Sequence, residues 1–93
     1  MSWALRFHPA VKKDLRRLSP ERRNFILGTM LPAIAADPFR GEPLHGPLKG
    51  FWKYQIGDDR IAYAINVKLR EVTMLQIGPR GGFYQRLRKR LKM

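Results

Sequence analysis

Cysteine is absent from this chain, which excludes disulfides and thiolate metal sites and suits a reducing compartment. Acidic residues are scarce. There are seven Asp and Glu among 93 residues, in no ligand-like cluster, so neither a metal site nor a cofactor is expected. Long apolar runs are missing too. None approaches the ~20 residues of a membrane span, and the N-terminus lacks a charged region followed by an apolar stretch and a cleavage site. The expected location is the cytoplasm, with no membrane partner. No internal repeat or low-complexity segment interrupts the chain.

What the chain has in abundance is positive charge: nineteen Lys and Arg, for a formal +12. A cation this dense attracts polyanions, and either nucleic acid or an acidic protein satisfies such a field. At 44% hydrophobic and 28% charged, the composition is otherwise that of an ordinary globular protein. The length suits one domain over residues 1–93, burying roughly 60–65% of the surface that the unfolded chain exposes.

Trp3, Leu5 and Phe7 alternate with smaller or polar neighbours, the period-two pattern of a strand. Val11, Leu15 and Leu18 form a helical stripe with Lys12, Lys13, Arg16 and Arg17 outside it. Ser19-Pro20 reads as a cap followed by proline at the first helical position. The next helix presents Phe25, Ile26, Met30, Leu31 and Ile34, and Pro32 inside it predicts a kink or break. Residues 37–50 hold three prolines and three glycines and read as a loop tacked down by Phe39, Leu44 and Leu48. Two strands, a third ("REVTMLQIG") and a short C-terminal helix bearing Tyr84, Leu87 and Leu91 complete the chain. The expected fold is α+β: an N-terminal strand and helical hairpin packed on an antiparallel sheet of about four strands, ending in a short helix.

The stretch "GFWKYQIGDDRIAYAI", residues 50–65, carries the most information. With a two-residue turn at Asp58-Asp59, Ile56 faces Ile61, Tyr54 faces Tyr63 and Trp52 faces Ile65, so all six large apolar residues share one side. The other side receives Lys53, Gln55, Arg60, Ala62 and Ala64. A one-residue slip would exchange the faces, so the pattern selects this arrangement strongly. The small alanines are expected to leave a shallow concavity walled by cations. Polar residues on an outer sheet face are usually just solvated. Here, however, the next strand leads into Arg80, Phe83 and Tyr84, and a basic face with an aromatic edge can hold a phosphate backbone and stack a base.

Several short motifs recur in order along the chain: Phe7 followed by Lys13-Asp14-Leu15 and Leu18, then "DP" after the hairpin, "PLHGPLKGFWKYQIGDDRIAY", and "IGPR" followed by tyrosine. In these the chain resembles the RelE/ParE toxins of bacterial and archaeal toxin–antitoxin systems, nearly end to end. The resemblance implies a RelE-like fold and a toxin neutralised by a cognate antitoxin in a hetero-oligomer. It further implies a ribosome-dependent, metal-independent endoribonuclease that cleaves mRNA in the A site, an mRNA interferase inhibiting translation. Carried over by position, its catalytic residues fall on Lys53, Arg60, Arg80 and Tyr84. Two positions depart from the pattern: Gln55 replaces a lysine, and Pro79 stands where relatives carry a basic residue or histidine. The alternatives are a ParE-like gyrase poison without nuclease activity, or a catalytically degenerate RNA-binding member.

RNA supplies its own nucleophile in the 2′-hydroxyl, so catalysis needs charge stabilisation and proton transfer rather than a covalent intermediate. Two guanidiniums, Arg60 and Arg80, can clamp phosphate oxygens. Lys53 is the candidate base. Tyr84 could stack, donate a hydrogen bond or share in proton transfer. Gln55, Phe83 and the tail cations Arg86, Arg88, Lys89 and Arg90 are expected to bind RNA, although a charge run this short also suits an antitoxin-covered face. His8 and His45 are expected to be structural, and Trp52, Tyr54 and Tyr63 to join the core.

Overall fold

The computed structural model describes residues 2–93. Strand β1 (Ala4–Phe7) leads through a short turn into helix α1 (Val11–Arg16). Helix α2 (Pro20–Phe25) starts where expected, with the Ser19 side chain accepting from the Arg22 N–H at 3.3 Å and Pro20 in the first turn. Pro32 does not break the helix. A single π-helical turn, Ile26–Met30, widens the backbone just ahead of α3 (Leu31–Ala36), and the Leu31 N–H reaches back to the Ile26 carbonyl. Pro32 thus falls in the first turn of α3, where its missing N–H is tolerated.

The sheet has five strands in the order β1-β5-β4-β3-β2, with β2 (Glu42–Pro43), β3 (Trp52–Ile56), β4 (Asp59–Asn66) and β5 (Glu71–Gly78). Two details differ from the expectation. The Pro/Gly-rich loop contributes an edge strand, β2, paired to β3 over two residues. Strand β1 runs parallel to β5, which the long connection through the helices and β2–β4 allows. Phe7, on the period-two pattern of β1, is 49% exposed, so the alternation holds for Trp3 and Leu5 but loses its last member.

The β3–β4 turn also shifts. The pairs are Trp52–Tyr63, Tyr54–Ile61 and Gln55–Arg60, which place the turn at Gly57-Asp58 rather than Asp58-Asp59. Gly57 adopts φ +60°, the left-handed conformation that the first central residue of such a tight hairpin demands. The displacement is two residues in pairing, an even number, so the face assignment survives. Ile61 and Tyr63 are fully buried, and Trp52, Tyr54, Ile56 and Ile65 pack against the same core. That core closes against Val11, Leu18, Ile26, Met30 and Ile34 of the helical layer.

The opposite sheet face is not the shallow concavity expected. Helix α4 (Phe83–Arg90) lies across it, and Phe83 and Leu87 bury themselves over Ala62, Leu75 and Leu48. The alanines are small because a helix sits on them. A bulge in β5 opposite Ala62/Tyr63 lets Met74 and Ile77, three residues apart, both reach the first core, while Leu75 joins the second. Burying Phe83 and Leu87 contributes about 3–6 kcal/mol at the usual rate for large side chains, enough to dock a short helix.

The orientation of α4 comes from a buried ion pair. Asp14 on α1, 7% exposed, receives both terminal nitrogens of Arg90 at 2.7 and 2.8 Å and the Ile77 N–H at 3.0 Å. Arg90 also donates to the Leu75 carbonyl. Its hydrogen bond to Asp14 pushes the Arg90 pKa up, against an opposing effect of desolvation. Substitution Asp14→Ala leaves the partly buried guanidinium unpaired and is expected to lower stability by about 3–5 kcal/mol, read by urea unfolding. A loss under ~1 kcal/mol would make the pair an ordinary surface one.

Tyr63 ties the loop to the sheet: its hydroxyl donates to the Pro38 carbonyl at 2.6 Å, and Gly41 passes so close that a Cβ there would strike the Tyr63 hydroxyl and the Lys53 carbonyl. Burial pushes the Tyr63 pKa up to about 12, with Asp37 and Tyr54 adding to the rise and the Gly41 backbone and Arg40 opposing it. The unfolded phenol ionises near 10, so the stabilisation is complete below that pH and is lost as pH rises through about 12. Between these limits the wild type is expected to lose about 2–3 kcal/mol more than Tyr63→Phe, measured by denaturant unfolding across the range. Equal slopes would show the hydroxyl to be solvated.

Candidate functional site

Helix α4 brings Tyr84 over the polar face of the β3–β4 hairpin. Gly82, at φ +66°, turns the chain into the helix, and the burial of Phe83 beneath it points the neighbouring ring toward β3 and β4. Three of the expected residues meet there. Arg60 Nη1 donates to the Tyr84 hydroxyl at 3.1 Å, with the guanidinium carbon 5.5 Å from the centre of its ring. Lys53 Nζ lies 6.0 Å from the same ring centre. Tyr84 is thus the hub of the cluster.

Arg60 is unusual for a cation. It is 7% exposed, no carboxylate pairs with it among the described residues, and its Nε is buried without a hydrogen-bond partner. Its neighbour Asp59 is taken by Arg22 of α2. The Phe83 ring, 5.9 Å from the guanidinium carbon, and the Tyr84 ring supply only π faces. An unpaired buried guanidinium carries a desolvation cost that an arriving anion relieves.

The cleft beside Tyr84 contains two residues absent from the expected set. Glu42, His45, Leu48, Lys53 and Tyr84 line an open groove of about 400 Å³. Glu42 stands directly across from Lys53 in the β2–β3 pairing. His45 was expected to be structural and remote from this face, but the loop folds along the edge of the sheet and carries the imidazole to Lys53 and Tyr84. The signal lay in Leu44 and Leu48: a loop pinned by two apolar side chains must lie on the sheet that receives them. His8 does serve locally, its Nδ1 accepting from the Ala10 N–H at 3.0 Å.

The remaining expected residues are dispersed. Arg80 is exposed beyond β5, with no side-chain hydrogen bond among the described residues and no place in the groove lining. Gln55 is exposed and donates to the Gly57 carbonyl at the hairpin turn. Phe83, 1% exposed, has no face free for stacking, because it is packed among Leu48, Ala62, Leu75 and Leu87. Arg90 directs its donors to Asp14 and Leu75. Arg86, Arg88 and Lys89 remain on the outer surface of α4, beside Gln85 and Met93.

Residues 5–88 match the family described as the ParE-like toxin of type II bacterial toxin–antitoxin systems. No curated relative matches the chain. Among solved structures, the RelBE2 toxin–antitoxin complex of Mycobacterium tuberculosis is similar at TM-score 0.81 and 25% identity, covering 86% of this chain and 100% of that one. The archaeal RelE–RelB complex of Pyrococcus horikoshii gives 0.68 at 23% identity, over 87% and 98% of the two chains. A mutant Escherichia coli RelE toxin in the free state gives 0.73 at 17% identity, over 97% and 94%, a likeness of fold. With the family matched over nearly its whole length, the chain belongs to the RelE/ParE superfamily, as a ParE-like toxin of a type II toxin–antitoxin system.

Proposed function

We propose that this toxin is an endoribonuclease that cleaves mRNA in the ribosomal A site and is neutralised by a cognate protein antitoxin. The observation that carries the reading is Arg60, a buried guanidinium with no carboxylate partner among the described residues, hydrogen-bonded to Tyr84, which in turn borders a groove lined by Lys53, His45 and Glu42. Cations aimed at one point stabilise the charge that develops on a phosphate as the 2′-hydroxyl attacks. Arg60 does this without changing protonation state. The groove offers three groups able to move protons, Lys53, His45 and Glu42, with the Tyr84 hydroxyl beside them. Arg80, exposed just before α4, reaches the substrate from outside the groove. The groove is open, so orientation must come from the body that presents the RNA, which fits a substrate held on the ribosome. The solved relatives from M. tuberculosis and P. horikoshii are toxin–antitoxin complexes, which supports an antitoxin partner here.

The second reading, a gyrase poison without nuclease chemistry, draws on the ParE-like description of the matching family and on Gln55 and Pro79 at positions where the nuclease pattern is basic.

Incubating purified ribosomes programmed with a defined mRNA separates the two. The wild type is expected to cut in the A site. Arg80→Ala is expected to fold normally, by circular dichroism, and to lose cleavage. Intact mRNA together with inhibited supercoiling by purified gyrase would move the protein to the second reading.

In single-turnover assays, Tyr84→Phe reports the role of the hydroxyl. A loss of about 10²–10⁴-fold marks proton transfer. A loss near tenfold, worth about one hydrogen bond, marks a residue that only holds Arg60 in place. Unchanged cleavage would remove the Tyr84 hydroxyl from the chemistry and leave only its ring.

A further inference from the structure

On the flank of α4 turned away from Tyr84 lies a second concavity, of about 330 Å³. Helical geometry explains the separation. Positions two and six residues beyond Tyr84 fall about 200° and 240° around the axis, which carries Arg86 and Arg90 to the other side. There they meet Arg17 at the end of α1, Arg22 of α2 and the end of β5 from Gln76 to Pro79.

Four guanidiniums face this cavity, and two carboxylates hold two of them. Asp14 engages Arg90, and Asp59 engages Arg22. Arg17 and Arg86 have no carboxylate partner among the described residues, and Arg86 donates only to the Gly81 carbonyl. Four cations less two anions leave the wall at +2. The paired arginines spend donors on their carboxylates, so the charge left uncompensated for an incoming anion is that of Arg17 and Arg86. The wall also includes Gln76, which is 2% exposed, donates to the Phe83 carbonyl at 2.7 Å, and has an Oε1 without any donor.

We propose that this cavity is an RNA-backbone subsite that takes a ribose-phosphate unit outside the cleavage groove. The inference rests on the reading of RNA as the substrate and deepens it. Two features favour a polyanion over a single acidic side chain. Arg86 belongs both to this cavity and to the outer groove with Arg88 and Lys89, so the cations form a continuous track along α4. The orphaned Gln76 oxygen calls for a donor, which a ribose hydroxyl offers and a carboxylate does not.

The test is equilibrium binding of a fluorescein-labelled single-stranded RNA of about ten nucleotides, a length within reach of one small domain, followed by anisotropy from about 50 to 200 mM salt. Arg17→Ala/Arg86→Ala is compared with Lys12→Ala/Lys13→Ala, which removes the same charge from an exposed face outside the cavity. Thermal melting confirms that both variants fold. The cavity variant is expected to bind at least tenfold more weakly at low salt, with the log–log salt slope smaller by about 0.7 for each phosphate that is no longer neutralised. The control is expected to keep the slope. Equal losses in both variants would reduce the cavity to part of a diffuse field and overturn the proposal. So would unchanged RNA binding in a cavity variant whose affinity for the antitoxin falls, which would assign the cavity to an acidic protein segment. Because the readout is binding rather than cleavage, failure of the nuclease reading shows separately, on the ribosome.

Discussion

The carboxylate of Asp14 joins three parts of the molecule that have no covalent reason to meet. It accepts the Ile77 N–H of β5 and two nitrogens of Arg90, so the first helix, strand β5 and the last helix converge on one buried charge. Apolar burial of Phe83 and Leu87 supplies most of the favourable energy of docking α4, but a greasy contact is non-directional. The ion pair adds direction. With Arg90 pinned at one end of the helix and Gly82 turning it at the other, Tyr84 has little choice about where its ring lies. The Arg60–Tyr84 contact, and through it the candidate site, inherits this geometry.

A second constraint follows from covering both faces of the sheet. The hairpin strands are apolar on the α1–α3 side, while Ala62 of β4 and Leu75 of β5 lie under α4, so the polar side chains of the hairpin collect at the edge of that cover. Lys53 and Arg60 sit at that margin. This is how a small protein of charge +12 comes to hold a guanidinium at 7% exposure. Arg60 lies under the first turn of α4 with aromatic rings above it, while its neighbour Asp59 faces away to Arg22. The arrangement leaves a buried charge without a carboxylate partner among the described residues, a local cost to stability of the kind found where function and folding compete.

The readable parts of the fold share a property: they depend on local spacing. The Ser19-Pro20 helix start, the strands and the grouping of Trp52, Tyr54, Ile56, Ile61, Tyr63 and Ile65 all follow from period and capping. The hairpin shows the limit well. Its faces were legible because an apolar pattern distinguishes odd from even, but the turn itself moved to Gly57-Asp58, since pattern alone does not separate pairings that differ by two. In the site, Lys53, Arg60 and Tyr84 were legible and do come together. Glu42 and His45 were not, because their place depends on a loop whose path is set by Leu44, Leu48 and the close passage of Gly41. Arg90 read as one more tail cation, and nothing near it in sequence points to a partner 76 residues earlier.

The sequence by itself determined the charge, the order of the helices and the main strands, the two sides of the β3–β4 hairpin and the family. These are properties of neighbours along a chain, where helix and strand periods act. Only the tertiary structure decided which cations are buried, which are paired and which remain free. The energy of a charge depends on what surrounds it in space, and for Arg60, Arg86 and Arg90 those surroundings come from distant segments. Three arginines with the same chemistry thereby acquire three different environments: one sealed beneath a tyrosine, one facing an open cavity and one locked to an aspartate.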